Sequence, residues 1–209
     1  MAMSFSTLTA DKNSPGSIKR WCNYAELDVE QVLEEAQALI SMTLRVREMR
    51  TEFDLTLAAG EYQIEIPDGF LDPVEMINRT LTQRISLRDA ASLSQRRIYD
   101  DGSLIRSYPR LYAIFDERFQ FDCAAEEPFS IGLVAFKAPE PLSNDNQTNF
   151  LTRRYPNLLR VACLVQAYDF MSNGEKYQTN LSLLGALIEN AMARDDLSYR
   201  GADFEVQVI

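Results

Sequence analysis

The hydrophobic period of the sequence changes twice along the chain, and this change limits the possible folds more than any other feature. From Asp28 to Leu44, apolar residues recur every three or four positions, as they do on one face of an α-helix. From about residue 50 to residue 135, apolar and polar residues mostly alternate, which is typical of strands with one solvent-exposed face. The helical period returns at Pro156. Segregated helices and strands favour the α+β class.

The first amphipathic helix carries its own start signal. Asp28 is a good N-cap, and Gln31 lies three residues further on, as in a capping box. The apolar stripe is interpreted as core packing, with Glu30, Glu34, Glu35 and Gln37 on the opposite face. The stripe consists of Val29, Val32, Leu33, Ala36, Leu39, Ile40 and Leu44.

The central region predicts several strands. Two alternating runs, at residues 53–57 and 62–66, flank a turn at Gly60 and predict a β-hairpin. Further strands are expected near residues 74–77, 111–115, 119–121 and 129–135, with a turn at 116–118. Residues 87–98 are polar and alanine-rich, which favours a short helix.

Two helices and a tail are predicted after the strands. Pro156 suits the first turn of a helix because its missing N–H would have no partner there. A second helix follows residues 172–174, with apolar steps of four and three that are typical of a helix packed antiparallel on its neighbour. In the tail, Phe204, Val206 and Val208 alternate with polar residues before Ile209, which predicts an extended strand. Such a strand needs an edge to pair with, in its own β region or on another chain.

These elements together predict an antiparallel helical bundle with an inserted antiparallel β subdomain and extended termini. The expected segments are a flexible N-terminal arm (1–14), two helical parts (15–47 and 149–195), an inserted β subdomain (48–143) and an extended C-terminal tail (196–209).

The composition excludes many kinds of catalysis. The 209 residues include no histidine, so Ser-His and Cys-His dyads and histidine-ligated zinc are ruled out. The three cysteines are far apart and odd in number, which indicates free thiols made in a reducing cytoplasm. No Walker A loop, dinucleotide glycine fingerprint or CxxC pair is present. We therefore expect no catalytic, cofactor or metal site.

Neighbouring carboxylates and apolar runs are equally uninformative about chemistry. The pairs Asp100-Asp101, Glu126-Glu127 and Asp195-Asp196 are interpreted as solvated surface charge, since a glycosidase needs two carboxylates that converge across a cleft. No apolar run reaches the length of a membrane span, so no membrane contact is expected, and residues 1–14 do not form a secretory signal.

The charge is concentrated in the middle of the chain. Residues 48–148 contain 18 acidic and ten basic side chains, a net charge of −8 out of −10 for the whole chain, and should repel nucleic acid. Of the 21 basic residues 17 are arginine, which suits interfaces, although codon or lineage bias explains this equally well. The pairs Arg96-Arg97 and Arg153-Arg154 are candidate inter-subunit residues, and helix-surface ion pairs are the alternative.

An ordered series of short motifs resembles the head-to-tail adaptor (connector) proteins of tailed bacteriophages. The resemblance covers about residues 39–193, and none of its motifs is specific alone. The motifs are the helix end at residues 44–49, Ala59-Gly60-Glu61-Tyr62, Pro67 with Phe70 and Leu71, Pro109 with Tyr112, Ala113 and Ile114, Pro141-Leu142-Ser143, residues 148–151, and Pro156.

The resemblance implies a structural virion protein without enzymatic activity. Adaptors of this kind form a ring beneath the portal, typically of twelve copies, at the head–tail interface, after assembly in the host cytoplasm. It implies that the helical part packs beside neighbouring copies, that the β part faces a tail or nozzle protein, and that double-stranded DNA passes through the hole without specific binding. The C-terminal segment commonly reaches the portal, so the candidate portal-docking residues are Phe204, Val206, Val208 and Ile209.

Two other functions are compatible with the acidic composition. An acidic DNA-mimic inhibitor would present regularly spaced carboxylates, but here arginines are mixed among them. A tail-associated cell-wall hydrolase would have to use carboxylates alone.

Overall fold

The chain folds as two structural units. The computed structural model describes residues 3–97 and 103–200, without the side chains of residues 94–96 and 197–200. One unit combines Met1–Glu48 with Ala138–Ile209, and the other is Met49–Lys137. The helices are α1 (Phe5–Leu8), α2 (Ile18–Cys22), α3 (Val29–Thr43), α4 (Ala90–Arg96), α5 (Phe150–Arg154), α6 (Pro156–Phe170) and α7 (Gly174–Arg200). The strands are β1 (Arg50–Leu57), β2 (Gln63–Glu65), β3 (Phe70–Asn78), β4 (Gln83–Leu87), β5 (Arg106–Ser107), β6 (Leu111–Phe115), β7 (Arg118–Phe121), β8 (Ala124–Ala125) and β9 (Phe129–Lys137).

Helix α3 begins where the sequence predicted. The Asp28 side chain accepts a hydrogen bond from the Gln31 N–H at 3.2 Å, and the predicted apolar stripe is buried except for half-buried Leu39. Gln37 was wrongly placed on the solvent face, since it is only 6% exposed. Its Nε2 donates to the Leu33 carbonyl and its Oε1 accepts from Asn149 Nδ2, so the buried amide has partners on both sides.

Helix α6 is the centre of the helical unit. Pro156 occupies its first turn, as predicted, and the helix contacts α2, α3, α5 and α7. It is buried on most of its surface because these neighbours surround it. Its buried residues are Leu158, Leu159, Val161, Ala162, Cys163, Val165, Ala167 and Tyr168.

Helix α7 lies on α6 along one stripe only. Its buried residues include Leu184, Ile188 and Ala191, whereas most of its other side chains are exposed. With 27 residues it is about 40 Å long. It continues to Arg200, five residues beyond the predicted end of the helical part at residue 195.

The segment around helix α1 is packed on the helical unit rather than free. Phe5 and Leu8 of α1 are buried, and the Phe5 N–H donates to the Gln147 carbonyl at 2.8 Å. The two apolar residues explain the difference from the predicted flexible arm, since their burial holds this segment on the helical unit.

The second unit is built on a seven-stranded sheet in the order β1-β9-β3-β4-β6-β7-β2. The pair β4–β6 is parallel and is joined through a crossover that contains α4, while the other neighbours are antiparallel. Only two residue pairs form this parallel seam, Ser86 with Leu111 and Leu87 with Tyr112. The edge strands β1 and β2 contact each other, so the sheet is nearly closed.

The expected helical bundle with an inserted antiparallel β subdomain is therefore wrong. The class is α+β, but a large mixed sheet dominates, and α3, α6 and α7 are the only sizeable helices among residues 3–97 and 103–200. The predicted hairpin at residues 53–66 is also wrong, because β1 pairs with β9 over eight residues and β2 pairs with β7. Ala125 exchanges backbone hydrogen bonds with Gly60 and Glu61 between them.

The sheet encloses its own core. Pro73 lies in strand β3, which has a neighbouring strand on each side, and proline has no N–H to donate to the sheet. The register shifts on either side of Pro73 interrupt the regular hydrogen bonding at this position, so the missing N–H is tolerated. On β9, a Cβ on Gly132 would come within 2.5 Å of Arg79 Nε, so glycine leaves space for the guanidinium that pairs with Glu52 and Asp54. The core residues are Leu57, Met76, Ile85, Tyr112, Phe119, Phe121, Ala125, Phe129, Ile131, Leu133 and Ala135.

Candidate interaction surfaces

The helical unit contains an arginine-lined cleft of about 500 Å³. Helix α5 ends at Arg154 and α6 begins at Pro156, so the chain turns sharply between them beside the C-terminal half of α7. Arg47, Arg154 and Arg194 line the cleft, together with the apolar side chains Leu158, Leu187 and Ala191. The cleft thus combines guanidinium groups with an apolar surface, as protein interfaces do.

Two ion pairs hold the cleft together. Arg47 Nε lies 2.8 Å from Asp195 Oδ1, and the Arg47 N–H donates to Asp195 Oδ2 at 2.9 Å. Arg154 Nη1 lies 2.6 Å from Glu48 Oε1. The carboxylate side chains are only 13% and 17% exposed, so loss of either arginine would leave a poorly hydrated charge. Three arginines face two carboxylates, which leaves the cleft with a formal charge of +1 in a chain of −10.

Tyr155 adds a neutral hydroxyl to the cleft. Burial, followed by the nearby Glu48 carboxylate, raises the pKa of this phenol above its ordinary value of 10.0. The phenol is therefore protonated at neutral pH and keeps its capacity to donate a hydrogen bond.

The β6–β7 hairpin of the β unit forms a second candidate surface. Strands β6 and β7 are joined by the two-residue turn Asp116-Glu117, whose φ values of 51° and 56° are typical of a type I′ turn. Both acidic residues are exposed, and the preceding Ile114 and Phe115 are 40% and 57% exposed. The tip therefore presents apolar and acidic groups side by side.

Comparison with known families decides what kind of protein this is. The sequence matches the SU10 adaptor protein family over residues 6–204, nearly the whole chain. The chain belongs to the SU10 adaptor protein family. This confirms the resemblance to phage head-to-tail adaptors. Among curated proteins, none matches the chain.

Membership in this family places the adaptor among bacteriophage structural proteins of the virion. An adaptor implies interaction with the portal and tail proteins of the phage. The surfaces that matter most in the adaptor are therefore those that can meet other proteins.

The adaptor buries one of the four arginines that the sequence suggested for contacts between subunits. Arg97 is 8% exposed; its Nε donates to the Phe121 carbonyl at 3.1 Å, and its guanidinium lies 4.2 Å from the centre of the Tyr62 ring. These contacts lie inside the β unit. The side chain of Arg96 lies outside the described residues.

The other candidate residues differ in their positions. Arg153 is exposed on α5, and Arg154 lies in the cleft. The sequence did not single out Arg194, which the packing of α7 on α6 brings to the same cleft. Phe204, Val206, Val208 and Ile209 lie outside the described residues.

The paired carboxylates that the structure describes do not come together in one site. Asp100-Asp101 lies outside the described residues, Glu126 and Glu127 are exposed, and Asp195 is ion-paired. Tyr108 donates to Glu127 Oε1 at 3.1 Å, and this hydrogen bond raises the pKa of the Tyr108 phenol.

Neither metal ligands nor a membrane helix can be identified in the described ranges. Within residues 3–97 and 103–200, acidic and cysteine side chains do not gather into a group that could bind a metal ion. Over the same ranges, every helix is too short or too polar to cross a bilayer. Cys22, Cys123 and Cys163 are all buried free thiols.

Proposed function

We propose that this adaptor forms a ring beneath the portal and joins the capsid to the tail. The family match over residues 6–204 is the observation that carries the proposal, and it favours an adaptor over a DNA-mimic inhibitor or a cell-wall hydrolase. The long helix α7 supports it, because only one stripe of α7 is buried and its remaining faces are open to neighbouring copies.

The tail at residues 203–209 is proposed to dock on the portal. Phe204, Val206, Val208 and Ile209 are apolar and alternate with polar residues, as expected of a strand that adds to the edge of another protein's sheet. The β unit is proposed to face a tail or nozzle protein.

Binding to a purified portal ring of the same phage tests this arrangement. The intact adaptor should co-sediment with the ring, and replacing Phe204, Val206 and Val208 by serine should abolish co-sedimentation. Replacing Glu205 and Gln207 by serine is the matched control, because these side chains would lie on the other face of the strand. Equal binding by both variants would refute docking through this segment. A full-length adaptor that never joins the portal would refute the adaptor function.

The hole of the proposed ring carries double-stranded DNA during ejection. The net charge of −8 on residues 48–148 supports this role, since a negative wall repels phosphates and DNA slides without being held.

Charge reversal on the β unit tests the acidic channel. Glu61, Glu65 and Asp68 are exposed, and their replacement by lysine should make assembled rings retain duplex DNA at low salt. Replacement of the same residues by glutamine and asparagine removes the charge without reversing it and should cause much weaker retention. Lysine rings that hold no more DNA than unmodified rings would exclude these residues from the channel wall.

A further inference from the structure

We propose that neighbouring copies contact each other by inserting the β6–β7 hairpin tip of one copy into the arginine-lined cleft of the next. This inference rests on the proposed ring and identifies the surfaces that would build it. Both surfaces lie on every copy, so the contact is heterologous and can close into a ring when repeated.

The hairpin tip has the features of an inserting element. Its two-residue turn holds Asp116 and Glu117 at the end of two paired strands, so the tip is preformed. Phe115 is 57% exposed next to the acidic pair, although a large aromatic side chain gains from burial. Aromatic side chains that enter a pocket are the usual anchors of protein interfaces.

The cleft offers complementary chemistry. Leu158, Leu187 and Ala191 supply apolar contacts for the aromatic ring, and the arginines supply donors for the two carboxylates. Arg194 is exposed and makes no ion pair with the side chains that the structure describes, so its guanidinium is available to donate hydrogen bonds to a carboxylate from another copy. The volume of about 500 Å³ can hold several side chains.

An acidic protein segment fits the cleft better than DNA does. The carboxylates of Asp195 and Glu48 already neutralise two of its three arginines, and part of its lining is apolar. A phosphate backbone would favour a larger excess of positive charge without apolar surface. The acidic tip, by contrast, matches both the charge and the apolar part of the cleft.

Cross-linking between copies provides the direct test. The native cysteines are 7%, 4% and 0% exposed, so under mild oxidation disulfides should form almost entirely between the introduced, exposed cysteines. A mixture of E117C adaptor and R194C adaptor should give disulfide-linked heterodimers under mild oxidation, both at high concentration and on portal rings. A mixture of E117C and E175C adaptors is the control, because Glu175 is exposed at the opposite end of α7. Heterodimer yields no higher than in the control on portal rings would overturn the proposal.

A charge exchange provides the second test. E117R and R194E should each lower ring assembly about tenfold or more, because like charges would then meet in the contact. The double variant E117R/R194E should recover most of the assembly, since the ion pair is restored in reverse. Single variants that assemble normally, or a double variant no better than either single one, would contradict the contact.

The outcomes separate this inference from the proposed function. If rings of E117C and R194C adaptors join the portal but form no disulfide between positions 117 and 194, the adaptor function stands and the contact is refuted. If the adaptor bound duplex DNA at low salt, R194E weakened that binding, and cross-links stayed absent, the cleft would bind phosphates, and the proposed contact would again be wrong.

Discussion

Asn149 is predicted to contribute more to the stability of the helical unit than any surface polar residue. The side chain is 6% exposed and joins three segments. Its Oδ1 accepts from the N–H groups of Leu151 and Thr152 at 3.0 and 3.2 Å, which caps α5. Its Nδ2 donates to Gln37 Oε1 at 2.9 Å and to the Glu140 carbonyl at 3.0 Å. The substitution Asn149→Ala removes all of these bonds together.

The expected loss follows from the separate contacts. Removal of the N-cap costs about 1 kcal/mol. Gln37 Oε1 would be left buried without a partner, at a cost of about 1–2 kcal/mol, whereas the Glu140 carbonyl is only partly buried and can turn to water. We therefore expect Asn149→Ala to lower the free energy of unfolding by about 2–3 kcal/mol. With a urea dependence of about 2–3 kcal/mol per molar, the midpoint should fall by about 0.7–1.5 M.

Trp21 provides the assay. It is the single tryptophan of the chain and lies in α2 of the helical unit, so its fluorescence reports the unfolding of that unit. A double-mutant cycle with Gln37→Leu, which removes the buried acceptor, isolates the contact between the two side chains. The double variant should be more stable than the sum of the single effects predicts, by about 1 kcal/mol.

Two results would refute this reasoning. A loss below about 1 kcal/mol in Asn149→Ala would mean that the capping contacts hardly contribute. Strict additivity with Gln37→Leu would mean that the buried amide pair is not coupled.

Three further predictions concern the β unit and the cysteines. Glu117→Gly should raise the free energy of unfolding by about 0.5–1 kcal/mol, because glycine adopts the positive φ of 56° without strain; a urea midpoint at or below that of the wild type would contradict this. Ile131→Ala should lower the free energy of unfolding by about 3–4 kcal/mol, since Ile131 is fully buried; near-UV circular dichroism of the tyrosines would follow it, and a loss under about 1.5 kcal/mol would argue against a well-packed core. Burial raises the pKa of the Cys163 thiol from 9.0 to about 12. The buried neutral thiol therefore contributes fully to stability below pH 9, and this contribution is lost as the pH rises from 9 to 12. The urea midpoint of Cys163→Ala should decline less over this pH range than that of the wild type, and an equal decline would contradict the prediction.

Local signals correctly predicted where α3 and α6 begin. The cap at Asp28 and the first-turn proline at Pro156 act within a few residues, so the sequence alone reveals where α3 and α6 begin. The apolar stripe of α3 follows from the helical period in the same way. Gln37 was misplaced because its partner Asn149 lies 112 residues away.

Strand pairing was not predictable from the same signals. An alternating run shows which face of a strand is apolar but not which strand lies beside it. Strand β1 therefore suggested a hairpin with the next run, whereas its partner β9 begins only at Phe129. The parallel seam was missed for the same reason.

The candidate surfaces were predicted only in part. Arg154 stood out as one of a basic pair, but Arg194 reaches the cleft only through the packing of α7 on α6. Arg97 was suggested for an interface, but its side chain is buried in the β unit. The sequence pair Arg96-Arg97 gives no sign that one of the two side chains is buried. The hairpin tip carried a usable signal, because the exposed Phe115 interrupts the alternation directly before two acidic residues.

The narrow parallel seam has a mechanical consequence for the β unit. Only two residue pairs join β4 to β6, while β1, β9 and β3 are tied by long antiparallel ladders. We expect the sheet to deform first at this seam, but only by small displacements, because Tyr112, Phe119 and Phe121 of β6 and β7 are buried in the core that the strands of this sheet share. Displacements of this size would let neighbouring copies in an assembly accommodate slight differences in their spacing.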